Sequence, residues 1–206
     1  MSTKEKILAK ALELFNEKGY NNITTRHIAA DLSISPGNLH YHFKHSEDII
    51  KILFTELILK MDELLNKIKK KENKTLEDLY LLTFSTCEIF YHYRFIFINL
   101  VDVLKKIPEV EAKYEGINFS RREEFQLIFS DLQKNNIFKK DIPGFIMNSL
   151  TEQIFIIADN WLTHNRLISK LNKKAAIQSY TLLLMNLFYP LLNKEQQTLY
   201  EQQYIR

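Results

Sequence analysis

The stretch SISPGNLHYHFK, residues 33–44, decides how the chain is read. Among 206 residues there are only four glycines and four prolines, yet Pro36 and Gly37 stand side by side here. Directly after Asn38 and Leu39 come His40, Tyr41, His42 and Phe43. A buried segment would not carry both histidines, and a plain solvent face would not carry both aromatics. A short helix with two unlike faces reconciles them. Ser35 supplies an N-cap, and Pro36 fits the first helical position, where its missing N–H costs nothing. The spacing predicts a helix over residues 36–42, with Leu39 and Phe43 turned inward. Asn38, His40, Tyr41 and Lys44 are left outside, and Gly37 lets another surface come close to the backbone.

Upstream, Ile7, Leu8, Ala11, Leu12 and Phe15 form one apolar stripe of a first helix. Ser2 or Thr3 caps its start, and Gly19 ends it. Thr24 is the next N-cap, for a short helix over residues 25–32 with Ile28, Ala29 and Leu32 inward. Ser33 and Ile34 then make a tight link into the helix already described. Two short helices joined by a tight turn above a first helix are a helix-turn-helix unit. In such a unit the second short helix enters the major groove of double-stranded DNA. Ser35 and the N–H groups at its start suit a phosphate. Asn38, His40 and Tyr41 have the reach and the donors for bases or phosphates.

The run from Ile7 to Ile50 resembles the N-terminal DNA-binding domain of TetR-family transcriptional regulators. Three pieces carry the likeness in order: ALELFNEKGY at 11–20, TTRHIA at 24–29 and LHYHFK at 39–44. The likeness covers roughly residues 3–53. It implies an all-α fold of about nine helices. A three-helix DNA-binding domain over residues 1–46 would precede a larger helical effector-binding and dimerisation domain over 47–206. It also implies a homodimer whose repression is relieved by a small ligand. Matched position by position, Thr24, Thr25 and Arg26 fall on capping, phosphate or base contacts. Ser35, Pro36, Gly37 and Asn38 fall on the start of the recognition helix. His40 stands where the family commonly has Tyr, Tyr41 and His42 match the next contacts, and Lys44 fits a phosphate contact. Ser46 departs from the pattern, since many members carry Lys there.

The rest of the chain reads as helix. Ser46 caps a long fourth helix running to the lysines at 67, 69, 70, 71 and 74. Those lysines are expected to solvate its end and complement its dipole. A helix starting at Thr75 leads into an aromatic-rich segment. Further helices are expected over residues 109–135, from Pro143 to 164, and over 173–192. Phe84, Cys87, Tyr91, Phe95, Phe125, Phe129 and Trp161 could line an apolar cavity, with Glu88 and His92 among its polar groups, though core packing is the simpler role for each alone. An apolar or amphipathic molecule fits such a lining better than a sugar or nucleotide. The last two helices are apolar over more than one stripe, which points to burial on two sides. Ile154, Ile157, Trp161, Ile177, Tyr180, Leu184, Leu187 and Phe188 are therefore expected in a four-helix dimer interface.

Composition narrows the remaining classes. The chain is 46% hydrophobic and 26% charged, with a formal net charge of +3, too mild to name a partner. No apolar run is long enough to span a bilayer. The lone Cys87 fits a reducing compartment, so a cytoplasmic location is expected. HExxH, GxSxG, GxGxxG and P-loop patterns are absent, which argues against an enzyme or a bound cofactor. His27, His40, His42 and His45 cluster early, but His40 and His42 lie two apart and face different sides, so no metal is expected. A chromosome-binding interaction protein of the nucleoid-occlusion type, without a small ligand, is the rival reading. An activator would need the same DNA contacts.

Overall fold

The computed structural model describes residues 1–205, which form eleven α-helices and no strand. They divide into two compact units. The first takes Met1–Lys60 and His92–Tyr114, and the second takes Met61–Tyr91 and the chain from Glu115 onward. None of the helices is long and apolar enough to cross a membrane.

The first unit begins with α1, Thr3–Lys18, whose apolar stripe of Ile7, Leu8, Ala11, Leu12 and Phe15 is buried. Ser2 Oγ accepts from the Glu5 N–H at 3.3 Å while Glu5 Oε2 accepts from the Ser2 N–H at 2.7 Å, a reciprocal N-terminal cap. Gly19 ends α1 with φ at 82°, a conformation that favours glycine, and its N–H donates to Phe15 O at 3.1 Å. Then come α2, Thr25–Asp31, α3, Pro36–His42, and the start of α4, Ser46–Lys69. Later, α5, Leu76–His92, hands the chain to α6, Arg94–Ile98, and α7, Leu100–Lys106, two short helices that return to this unit. Phe95 of α6 packs on Phe15 with ring centroids 5.2 Å apart. Asn16 locks the junction, donating to His92 O at 2.8 Å and accepting from the Phe95 N–H at 3.0 Å.

Helix α8, Pro108–Lys134, begins in the first unit and from Glu115 belongs to the second, where it, α9, Gly144–His164, and α10, Lys173–Phe188, surround an aromatic core. Phe129 sits 6.0 Å from Phe138 and 5.9 Å from Phe188, ring to ring. Phe138 and Leu192 form an isolated antiparallel bridge, with the Lys139 N–H donating to Leu191 O at 2.8 Å. A last helix, α11, Lys194–Tyr204, closes the core with Tyr200, whose hydroxyl donates to Asn186 Oδ1 at 2.7 Å.

Three details differ from the sequence reading. The aromatic-rich segment, read without a helix of its own, forms α6 and α7, split at Asn99, whose φ of -124° and ψ of 27° lie outside the helical range. The helix at 173 ends at Phe188, where Pro190 forces a short 3-10 turn. Finally, α11 was not expected, because KEQQTLYEQQY has almost no apolar stripe and Tyr200 alone is buried. Asn193, accepting from the Gln196 N–H at 2.9 Å, was the available start signal.

Candidate nucleic-acid interface

Local chemistry places α3 as the spacing requires. Ser35 Oγ accepts from the Asn38 N–H at 3.1 Å, and Pro36 occupies the first helical position. Leu39 and Phe43 are buried, holding the helix to the core, while Tyr41 on the opposite side is 85% exposed. The link before α3 turns at Ser33, whose φ of 54° is unusual outside glycine, and the Ile34 N–H donates to Ala29 O at 3.0 Å. Ser35, Pro36, Gly37, Asn38, His40 and Lys44 are exposed, and His42 is half-buried with its ring edge-on to Tyr41 at 5.2 Å. A Cβ added to Gly37 would meet nothing within 4 Å, so the chain's own packing does not require a glycine there.

The start of α2 lies exposed beside it. Thr24 and Arg26 face solvent, and Thr25 is half-buried. Thr24 Oγ1 accepts from the His27 N–H at 3.4 Å, and His27 Nδ1 accepts from the Thr24 N–H at 3.3 Å. His27 thus takes the place that Glu or Gln fills in most reciprocal caps. Sequence reasoning missed this role, because His is not an expected residue there. The position three after a Thr cap was the available signal.

The residues read as a cavity lining do not share one unit. His92 and Phe95 belong to the first unit, the others to the second. There Tyr91 and Trp161 lie 6.3 Å apart, and Trp161 and Tyr180 4.9 Å apart. Cys87 is buried, and burial pushes its thiol up to about 11 with the Thr181 hydroxyl opposing, so it stays protonated. Phe84 is half-buried against Tyr80, Phe125 packs on Phe129, and Glu88 is exposed. Of the eight residues read as a dimer face, Ile154, Trp161, Ile177, Tyr180, Leu184 and Phe188 are buried within one chain, and Ile157 and Leu187 are half-buried. The apolar groups that α9 and α10 leave exposed include Ile156, at 62%, and Leu183, at 47%.

The lysine-rich end of α4 is largely spoken for by acids. Lys69 donates to Glu124 at 2.8 Å, Lys71 pairs with Asp78, and the buried Lys74 donates to Asp131 at 2.7 Å. Burial alone would raise Asp78, but the Lys71 ammonium and the Thr75 N–H and hydroxyl hold its carboxyl below the ordinary range. Glu124 is lowered in the same way, burial being outweighed by Lys69 and Arg121. At Asp131 the hydrogen bond from Lys74 is the chief cause of a lowered carboxyl.

Comparison with known proteins agrees with this geometry. Residues 7–51 match the family model described as bacterial regulatory proteins, tetR family. Residues 59–200 match the model described as bacterial transcriptional repressor, TetR. The HTH-type transcriptional regulator QacR of Staphylococcus aureus is 31% identical over 133 residues, covering 64% of this chain and 71% of that protein. The negative transcriptional regulator IcaR of the icaADBC biofilm operon, also from Staphylococcus aureus, is 28% identical over 153 residues, covering 70% and 78%. A TetR-family regulator from Marinobacter aquaeolei superposes with a TM-score of 0.88 at 31% identity, covering 96% of this chain and 95% of that one. The chain belongs to the TetR family of DNA-binding transcriptional regulators.

Proposed function

We propose that the chain is a homodimeric repressor that reads a palindromic operator through α3 and leaves it when an apolar or amphipathic small molecule binds. The observation that carries this is α3 itself: buried Leu39 and Phe43 fix a helix whose exposed side offers Asn38, His40, Tyr41 and Lys44. IcaR is named a negative regulator, which favours repression over activation. Two recognition helices must stand about 34 Å apart to enter successive major grooves. Exposed Ile156 and Leu183 make α9 and α10 the elements to pair across the two-fold axis. The effector is read as entering the second unit beside Tyr91, Trp161 and Cys87. It lowers operator affinity only if it binds the non-DNA state better. In this mechanism α4, an unbroken helix over Ser46–Lys69, carries the shift to the recognition helices. A repressor acting on the chromosome works in the cytoplasm.

The test is fluorescence anisotropy with a duplex from the region upstream of its own coding sequence. The wild type should bind it in preference to a scrambled duplex. Arg26→Ala and Tyr41→Ala should each weaken that binding about tenfold or more. Equal affinity of all three proteins for both duplexes would overturn the reading. Tight binding to many unrelated sequences would favour the chromosome-binding interaction protein.

A further inference from the structure

The far end of α3 has few cations of its own. There α4 opens on Ser46, Glu47 and Asp48, and all three side chains are engaged locally. Ser46 Oγ donates to Glu47 Oε2 at 3.1 Å, Glu47 holds Lys106 at 3.1 Å, and Asp48 Oδ2 accepts from the His45 N–H at 3.0 Å. A cation reaches the same corner from α1. The ammonium of Lys4 lies 5.9 Å from the centroid of the ring of Phe43, the residue that follows α3 and precedes Lys44. Lys4 is exposed and makes no ion pair among the described residues. Its neighbour Glu5 is occupied at the Ser2 N–H. The aromatic face limits where the ammonium can go, so less freedom is lost when it meets an anion.

We propose that Lys4 is a phosphate anchor of the DNA-binding surface, working beside Lys44 to set the depth and angle of α3 without reading bases. This rests on α3 being the DNA-reading helix. Other lysines of α1 are placed differently. Lys10 is bound to Glu13 at 2.9 Å and to Asp31 at 3.0 Å. Lys6, two residues beyond Lys4, lies about 200° further round the helix.

The test compares wild type, Lys4→Met, Lys4→Arg and Lys6→Met in anisotropy titrations across a salt series. Two duplexes are used, the upstream region and a scrambled sequence of equal length. Methionine keeps the stem on the Phe43 ring and removes the charge, and thermal melts confirm that each variant folds. Each neutralised phosphate contributes about 0.9 to the slope of log affinity against log salt. A homodimer carries two such lysines, so Lys4→Met should lose about 1.8 of slope on both duplexes, with affinity falling several-fold on each. Lys4→Arg should stay near wild type, and Lys6→Met should match it. An unchanged slope for Lys4→Met on both duplexes overturns the anchor, even where wild type prefers the upstream duplex and the DNA-reading role of α3 stands. Wild type binding neither duplex overturns both.

Discussion

Helices α3 and α10 handle their side chains in opposite ways. Across seven residues, Pro36–His42, α3 buries only Leu39. By contrast α10, Lys173–Phe188, buries Ala176, Ile177, Tyr180, Thr181, Leu184, Met185 and Phe188. On α3 the apolar stripe is the minimum needed to hold the helix, and apart from the half-buried His42 the rest faces outward. On α10 the apolar stripe is the core of one chain, and Lys173, Lys174, Gln178, Ser179, Leu183 and Asn186 stay exposed. A helix's stripe shows how it is held, and its exposed remainder shows what it does for other molecules.

That contrast can be tested by substitution. Leu39→Ala and Phe129→Ala empty the two cores and should cost about 2–5 kcal/mol each, read by urea unfolding. A loss under about 1 kcal/mol at Leu39 would mean that α3 is not anchored as described. On the outer side of the same helix, Tyr41→Ala should move stability by no more than about 0.5 kcal/mol. The same variant should lose about 1–3 kcal/mol of operator binding. For α10 the parallel pair is Leu183→Glu and Leu184→Ala. Sedimentation should show Leu183→Glu dissociating the dimer at least about tenfold more readily, since it puts a charge on the exposed face. Leu184→Ala should melt earlier and still dimerise once folded. If Leu184→Ala alone weakened the dimer, the inner stripe would be the interface after all.

A smaller effect follows from titration. In the second unit, Asp131 has its carboxyl lowered by Lys74. A lowered carboxyl gives stability that is whole above its unfolded value, about 3.9, and lost as pH falls through the folded one. Asp131→Asn should thus be less stable than wild type at pH 7, with the gap closing as pH falls through the folded value. A gap that persists in acid would mean that Lys74 and Asp131 matter through packing instead.

The sequence was most legible where local rules act alone. Ser35 caps α3, Pro36 opens it, and His42 closes it, each set by backbone chemistry within a few residues. Long apolar helices obey no such local rule. Trp161 and Tyr180 have the same pattern whether they face a core, a ligand or a partner, and only the packed chain shows them turned inward. Lys4 is three-dimensional in the same sense: Phe43 lies 39 residues further along the chain, beyond any helical period. The polar α11 hid because Tyr200, its one buried residue, leaves no stripe to count.

The most direct measurement is selection of bound duplexes from a random pool by the wild type and by Tyr41→Ala. The account predicts that the wild type enriches one two-fold symmetric site, its half-site centres separated by about one helical turn or a multiple of it. Tyr41→Ala should enrich that site weakly or not at all. A wild-type pool that emerges without a common symmetric site would contradict the claim that a dimer of this chain reads DNA through α3.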